Sequence, residues 1–559
     1  MCSFNIENGN LVIRTDLFSA SFPGVETVSD QMEDAGGLSL PFHNITAHGH
    51  NTIRHYHVWE DLPVVYMPDY SENILHKLTG EHWLIRSVKL HALTDENDTL
   101  TEENEYHLYS GRVILPMTGE MFFLENPEDG NAMVIISEAP DYQTTTLRIR
   151  SHEITIDNGG NPVALGFCQV GGCEALARAY YRHACKSSLL VAMSNTWGDR
   201  NGFSRVCHEF VLREVDAAKE LGVDIVQIDD GWQSGSTSDP AIYDEQRHRH
   251  FGDSFWQIHR ERFPEGLGAI TNYAEPDGIR VGMWFAPDSN DCFAKLERDK
   301  AVLRKAYEEW GIRFFKLDMY RVLDTAYRDR FLELLKEIYS FGSDVSVQLD
   351  TTRDERINYL CGRQYGTIFV ENRYHKWANA FPHRVLRNLW SLSHYLPAQK
   401  FQFEVINPDL WQEDYRPGDP FIPSLYDMDY QFAAVMLSNP LFWMEMQFLG
   451  SHRKEELKRI MPIWKQHRHI LSESDVIPMG QKPTGRSFTG FQVQTGGKTR
   501  YLLLFREATD HEEATLCADV AAGSVKILAS NAEAELNLMN GAVHVKLSKP
   551  RSYVFAEIQ

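Results

Sequence analysis

Between residues 188 and 450 the chain alternates short apolar runs with amphipathic stretches. Eight runs occur in order, at 189–197, 223–232, 279–288, 312–318, 345–350, 367–372, 401–407 and 441–448, and each closes in polar residues. A strand buried on both faces reads as such a continuous run, because helices cover one face and a barrel interior the other. Helical patterns lie between the runs. The clearest spans 203–221, where Val206, Phe210, Val211, Val215, Ala218 and Leu221 recur at the spacing of one helix face. Stretches 301–310, 326–339, 383–395 and 427–437 are similar. Eight strand–helix alternations predict an α/β fold with a central (β/α)8 TIM barrel.

The flanks have a different texture. Residues 1–185 carry short alternating stretches such as 11–14, 83–88, 111–115 and 146–150, separated by Gly, Pro, Asn and Asp. That pattern predicts a large antiparallel sandwich. Stretches 501–505 and 543–547 repeat the style near the other end. The expected division is an N-terminal β domain over 1–185, the barrel over 186–478 and a small C-terminal antiparallel β domain over 479–559.

In a barrel of this kind the chemistry sits at the C-terminal ends of the strands. There the chain places Asn195-Thr196-Trp197, Asp229-Asp230-Gly231-Trp232, Trp284 and Asp288, Lys316-Leu317-Asp318, Gln348-Leu349-Asp350, Glu371-Asn372-Arg373, Glu404 and Asn407, and Glu445. A mouth rich in carboxylates and walled by Trp suits a sugar, whose hydroxyls bond to Asp and Glu and whose apolar face stacks on an aromatic ring. Glycoside cleavage itself requires two carboxyl groups, a nucleophile or base and an acid of raised pKa.

Charge narrows the partners. With 55 Lys plus Arg against 78 Asp plus Glu, the formal charge is −23, which excludes nucleic acid or an anionic membrane as the main partner. No apolar run approaches the ~20 residues that span a bilayer. The opening MCSFNIENGN has neither a basic start nor an apolar stretch, so a cytoplasmic location is expected. The eight cysteines are scattered and are expected to be free thiols. His48, His50, His55 and His57, with His248 and His250, could pair on a strand face, but no carboxylate motif accompanies them. They are expected to be loop or rim residues, with no metal and no cofactor. Glu455, Glu456, Lys458 and Arg459 are expected to form a solvated helix face.

Four stretches resemble glycoside hydrolase family 36, the microbial α-galactosidases and their relatives. They are Val226-Gln227-Ile228-Asp229-Asp230-Gly231-Trp232, Arg262-Phe263-Pro264-Glu265-Gly266-Leu267, Gly282-Met283-Trp284-Phe285-Ala286-Pro287-Asp288 and Phe314-Phe315-Lys316-Leu317-Asp318. The resemblance implies an N-terminal β-supersandwich, a barrel and a C-terminal β domain. It implies a retaining, exo-acting α-galactosidase with Asp318 as nucleophile. It gives Asp229 and Asp230 the 4- and 6-hydroxyls of the terminal sugar, and sets Trp197 beside the ring. Lys316, in period two with Asp318, is expected to aim into the same mouth and to donate to a sugar hydroxyl. Trp284 and Asn372 complete the expected substrate contacts, and an oligosaccharide or glycoside is the expected partner. Relatives are often oligomeric, so a homo-oligomer is a further expectation.

The chain departs from the family twice. Where the family carries a Cys-Ser-Gly-Gly-Gly run around O2, this sequence reads Gln348-Leu349-Asp350-Thr351-Thr352-Arg353, so Asp350 or Arg353 is expected to fill that space. Where the family places an Asp as acid/base, the stretch Ile368-Phe369-Val370-Glu371-Asn372 offers Glu371, whose extra methylene moves the carboxyl by roughly 1.5 Å. Glu371 is the expected acid/base, with Asp350 its rival. The same departures leave room for an α-N-acetylgalactosaminidase, an α-galactosyltransferase of the raffinose-synthase kind, or a carbohydrate-binding barrel without catalysis.

Overall fold

A computed structural model describes residues 2–33, 41–70, 74–90, 100–109, 116–183, 189–199, 205–244, 249–352, 355–370 and 373–559. Arg353, Glu371 and Asn372 lie outside the described residues, as do His248 and the stretch 111–115.

The eight apolar runs become eight parallel strands: Met193–Asn195, Ile225–Ile228, Arg280–Phe285, Phe314–Leu317, Ser346–Asp350, Thr367–Phe369, Phe401–Val405 and Asn439–Phe442. They pair in chain order, and the first closes on the last through Met193 opposite Leu441, forming the expected barrel. Most runs are longer than the strands inside them. Past Ile228, for example, Asp229, Asp230 and Trp232 stay buried although the strand has ended. The mouth itself is packed, so hydropathy overshoots the hydrogen-bonded ladder.

The helices follow the expected faces, among them His208–Leu221, Leu296–Trp310, Thr325–Ser340, Pro382–Leu392 and Met428–Val435. The first ends at Gly222, whose left-handed φ of 77° lets its N–H close back on the Ala218 carbonyl.

Before the barrel stands a nine-stranded antiparallel sheet, with smaller sheets of three and four strands. Alternation divides its faces. Val88, Phe123 and Val134 turn toward the barrel and share its core, whereas Ile85, Phe122 and Ile135 fill a separate core within the sandwich. A buried polar clamp fixes the two units. Arg363 donates through Nε to Glu138, which also accepts the hydroxyls of Tyr180 at 2.8 Å and Tyr66 at 3.1 Å. Beyond the helix Ser451–Glu473, antiparallel sheets of five and three strands form the C-terminal unit.

Two local expectations need correction. His55 and His57 sit on the strand Ile53–Val58 and not in a loop. His57 stacks on Phe42 with ring centres 4.3 Å apart, and burial pulls its pKa down to about 4. On helix Ser451–Glu473, Arg459 reaches the buried Asp429 at 3.1 Å, and Glu456 accepts the Met428 N–H at 2.7 Å. That charged face therefore holds neighbouring elements as well as water. Among the described residues no helix is long and apolar enough to cross a membrane. The described cysteines are free thiols, with the Cys168 and Cys173 sulfurs 3.8 Å apart.

Candidate active site

One ammonium organises the mouth of the barrel. Lys316, on the fourth strand, is 2% exposed. Its Nζ lies 3.1 Å from Asp229 Oδ2, 3.6 Å from Asp350 Oδ2 and 3.9 Å from Asp318 Oδ2. Strands two, four and five thus converge on one cation. Burial alone would pull the lysine pKa down, but Asp229, Asp318 and Asp350 overcome it and push the value up. The ammonium also lies 5.1 Å from the Trp443 ring centre, over the negative face of an indole on the eighth strand's continuation.

Asp318 is held from both sides. Its Oδ2 accepts from Trp284 Nε1 at 3.0 Å, and its Oδ1 accepts the Met319 N–H at 2.5 Å. Arg356 Nη2 lies 3.4 Å from the same Oδ1, while Arg356 Nη1 donates to the Asp350 carbonyl at 2.7 Å. Met319 adopts a left-handed φ of 56°, which turns its N–H back onto the carboxylate. Burial would raise the Asp318 pKa, but Lys316 and Arg356, with the Trp284 and Met319 hydrogen bonds, bring it down to about 2. The carboxylate is therefore ionised and fixed in orientation, which is what a nucleophile requires.

Asp350 has the opposite balance. Burial and the charge of Asp318 push its pKa up to about 6, against Lys316, Arg356 and the Thr352 hydroxyl, which donates to Oδ1 at 2.7 Å. Two carboxyls beside one lysine thus hold their protons at widely separated pH, the pattern that divides acid from nucleophile.

The Asp-Asp-Gly-Trp turn supports the second strand's contribution. Asp229 Oδ2 accepts from Asn195 Nδ2 at 2.7 Å, and its backbone N–H donates to the Thr196 hydroxyl at 3.1 Å. Asp230 accepts from Gln233 Nε2 and the Thr237 hydroxyl, and burial sets its pKa at about 6. Gly231 has a φ of 120°, open to glycine alone without strain. That turn swings Trp232 inward, where its Nε1 donates to the Trp284 carbonyl at 2.8 Å. Trp232 therefore positions the residue that holds Asp318.

Trp197 is half-buried and packs with Phe369, Tyr374 and Trp443 beside the lysine. The next residue, Gly198, runs so close to the strand-eight continuation that a Cβ there would meet the Trp443 backbone at 2.1 Å.

Of the ten expected site residues, seven are described. Asp229, Asp318, Lys316, Asp350 and Trp284 meet directly, and Asp230 and Trp197 flank them. Sequence reasoning placed Asn195 at the mouth without a role and missed Arg356 and Trp443. Trp443 stands just past a strand end, where it could have been found. Arg356 follows the fifth strand on an irregular segment with no periodic signal. Glu445 lies apart, paired with Arg205 at 2.8 Å. Among the described residues no group of His, Cys, Asp or Glu is arranged to hold a metal ion.

A family model described as Melibiase matches residues 174–328. That stretch includes the first four strands with Trp197, Asp229, Asp230, Trp284, Lys316 and Asp318. The α-galactosidase Mel36A of Lactobacillus acidophilus is 34% identical over 74 residues, a stretch that covers 13% of this chain and 9% of that relative. The family 36 α-galactosidase AgaB of Geobacillus stearothermophilus superposes over 100% of this chain and 88% of its own, with a TM-score of 0.70 at 12% identity. A variant of AgaA from the same organism, crystallised with raffinose, covers 100% of this chain and 89% of its own, with a TM-score of 0.66 at 12% identity. At such identity the structural likeness is one of fold.

Proposed function

We propose, for a chain whose resemblance to glycoside hydrolase family 36 is borne out, that this protein is a retaining exo-acting α-galactosidase. The observation that carries the reading is Asp318: an ionised carboxylate held by Trp284, Met319 and Arg356, with Lys316 beside it and the Asp229–Asp230 pair across the same mouth. Asp318 attacks the anomeric carbon and forms a β-linked galactosyl ester. The bond to the aglycone oxygen breaks, and that oxygen takes a proton from the acid/base. Water, deprotonated by the same group, then attacks the ester from the opposite face and releases the α-sugar.

Glu371 supplies the acid/base by its place in the family motif. A second reading gives that role to Asp350, favoured by its pKa of about 6 beside an ionised nucleophile. If Glu371 is the acid, Asp350 is free to accept the sugar's 2-hydroxyl. A buried carboxylate in that place favours a plain galactoside over an N-acetylated one, which would bring bulk to the same position. Asp229 anchors Lys316 while Asp230 receives sugar hydroxyls, with Trp197 against the ring. Raffinose-type α-galactosyl oligosaccharides are the substrates proposed.

The test is hydrolysis of an aryl α-D-galactoside by the wild type beside Asp318→Asn. Turnover that vanishes in the variant supports both the reaction class and the nucleophile. Turnover that survives removes Asp318 from the role. No wild-type turnover, with binding of galactose retained, would turn the reading toward a carbohydrate-binding barrel.

A further inference from the structure

A second cavity lies in the N-terminal sandwich and shares no residue with the barrel mouth. It is a cleft open to solvent, of about 440 Å³, within the ~300–1,000 Å³ that small-molecule sites occupy. Five elements build it: the approach to strand Ser19–Pro23, strand Ile74–Lys77 with the turn after it, the start of strand His82–Leu90, the start of strand Asn131–Ser137 with the turn before it, and the end of strand Val163–Gln169.

One wall is aromatic. Phe18 and Phe167 stack with ring centres 5.2 Å apart and an interplanar angle of 11°. His76 meets Phe167 edge-on at 5.8 Å. Trp83 completes the wall, its indole fixed by donation from Nε1 to the Thr79 carbonyl at 3.0 Å. The rim is polar but holds no cation: Ser19, Thr79, Asp129, Asn131 and Gln169 line it, and among the described residues no Lys or Arg does. The Asp129 carboxylate accepts the Asn131 N–H at 2.9 Å, which fixes the turn. Burial pulls the His76 pKa down to about 4, so the ring adds no positive charge at neutral pH.

This chemistry selects against anions. A phosphate or carboxylate ligand requires cationic or clustered N–H donors, whereas here a carboxylate stands at the rim. A neutral polyol with one apolar face matches both walls: hydroxyls to the amides and to Asp129, ring carbons to the aromatics. We infer that this cavity is a non-catalytic binding site for a neutral mono- or disaccharide, separate from the hydrolytic centre. A second foothold of this kind would raise the local concentration of sugar chains near the barrel.

The test uses the full chain labelled with 5-fluorotryptophan, with the Trp83 fluorine resonance assigned from Trp83→Phe. D-Galactose, D-glucose, N-acetyl-D-glucosamine and sucrose are titrated to about 50 mM, enough to register weak millimolar binding. At least one sugar is expected to shift the Trp83 resonance saturably. In Asn131→Ala/Gln169→Ala, whose residues are exposed, the affinity should weaken at least about tenfold, with kcat/KM for an aryl α-D-galactoside unchanged. Absence of a saturable shift with all four sugars would overturn the site. So would a shift that persists undiminished in the double variant, or one produced by inorganic phosphate and not by sugar. Hydrolysis is read separately, so loss of this site and failure of the galactosidase reading are distinguishable.

Discussion

Replacing Lys316 with Met removes the ammonium that lies among Asp229, Asp350 and Asp318 at 3.1, 3.6 and 3.9 Å. At ~4 Å and an effective dielectric of about 20, each such attraction is worth about 4 kcal/mol before desolvation is counted. Breaking a buried pair costs ~3–5 kcal/mol in practice, because the carboxylates left behind are uncompensated. The Asp318 pKa, now about 2, should rise past its ordinary value of ~3.9, since burial pushes the same way once the lysine is gone. A rise of two units or more corresponds to at least ~2.7 kcal/mol at ~1.36 kcal/mol per unit. A carboxyl with a pKa near ~4 stays ionised at neutral pH, so the expected loss in kcat/KM, about a hundredfold or more, comes from a misplaced Asp318 and a lost donor to the sugar.

The assay is the pH profile of kcat/KM on an aryl α-D-galactoside, read with thermal unfolding. Any acid limb governed by these carboxyls should move to higher pH in Lys316→Met. The stability deficit also has a sign. Asp318 has a depressed folded pKa, so its contribution is present above ~3.9 and lost as pH falls through about 2. Lys316 has a raised folded pKa, so its contribution is full below ~10.4 and lost only above that. The deficit should be largest near neutrality and shrink toward acid. Lys316→Arg keeps the charge and serves as the folding control. A Lys316→Met protein within about tenfold of wild-type kcat/KM, with an unmoved acid limb, would refute the reasoning.

Trp284→Phe deletes the indole donor to Asp318 at 3.0 Å and keeps most of the ring, so a charge-assisted bond of ~1.5–3 kcal/mol is lost. It should lower kcat by about 10–100-fold with little change in KM, as steady-state kinetics would show. Glu371→Gln should impair hydrolysis of raffinose far more than that of a dinitrophenyl galactoside, which needs no leaving-group proton, whereas Asp350→Asn should impair both alike. The reverse pattern would move the acid/base role to Asp350. Asp199, Glu214 and Glu507 are buried and Glu120 is half-buried, and desolvation pushes each pKa up to about 7. The folded state holds these protons more tightly than the unfolded chain, so stability falls as pH rises from ~4 to ~7. Calorimetry should give a higher melting temperature at about pH 5 than at about pH 8, and a midpoint still rising at pH 8 would contradict this.

The barrel was legible because strands buried on both faces leave continuous apolar runs, and all eight were found in order. Their ends were not, because Asp229, Asp230 and Trp232 are as buried beyond the second strand as Ile228 is within it. Residues at strand ends could be named from that order, and three of them, Asp229, Asp318 and Asp350, converge on Lys316. What the sequence could not show was the partnering of side chains between strands. Asn195 bonds to Asp229 only because the first strand lies beside the second, and Trp443 reaches Lys316 only because the eighth strand closes on the first. Arg356 sits on an irregular segment where no period marks direction. His57 escapes a composition-based reading because a histidine-rich strand has the composition of a loop, and its pairing with Asn44 on one side and Tyr66 on the other fixes it inside the sheet.

The central claim is that Asp318 forms the covalent bond. The most direct measurement is to incubate the protein with 5-fluoro-α-D-galactosyl fluoride, digest it and locate the adduct by mass spectrometry. The account predicts that the peptide holding Lys316-Leu317-Asp318 gains one fluorogalactosyl group on Asp318, with loss of activity in step and no labelling of Asp318→Asn. Inactivation with the label on another carboxylate, or turnover that never passes through a trapped ester, would contradict it.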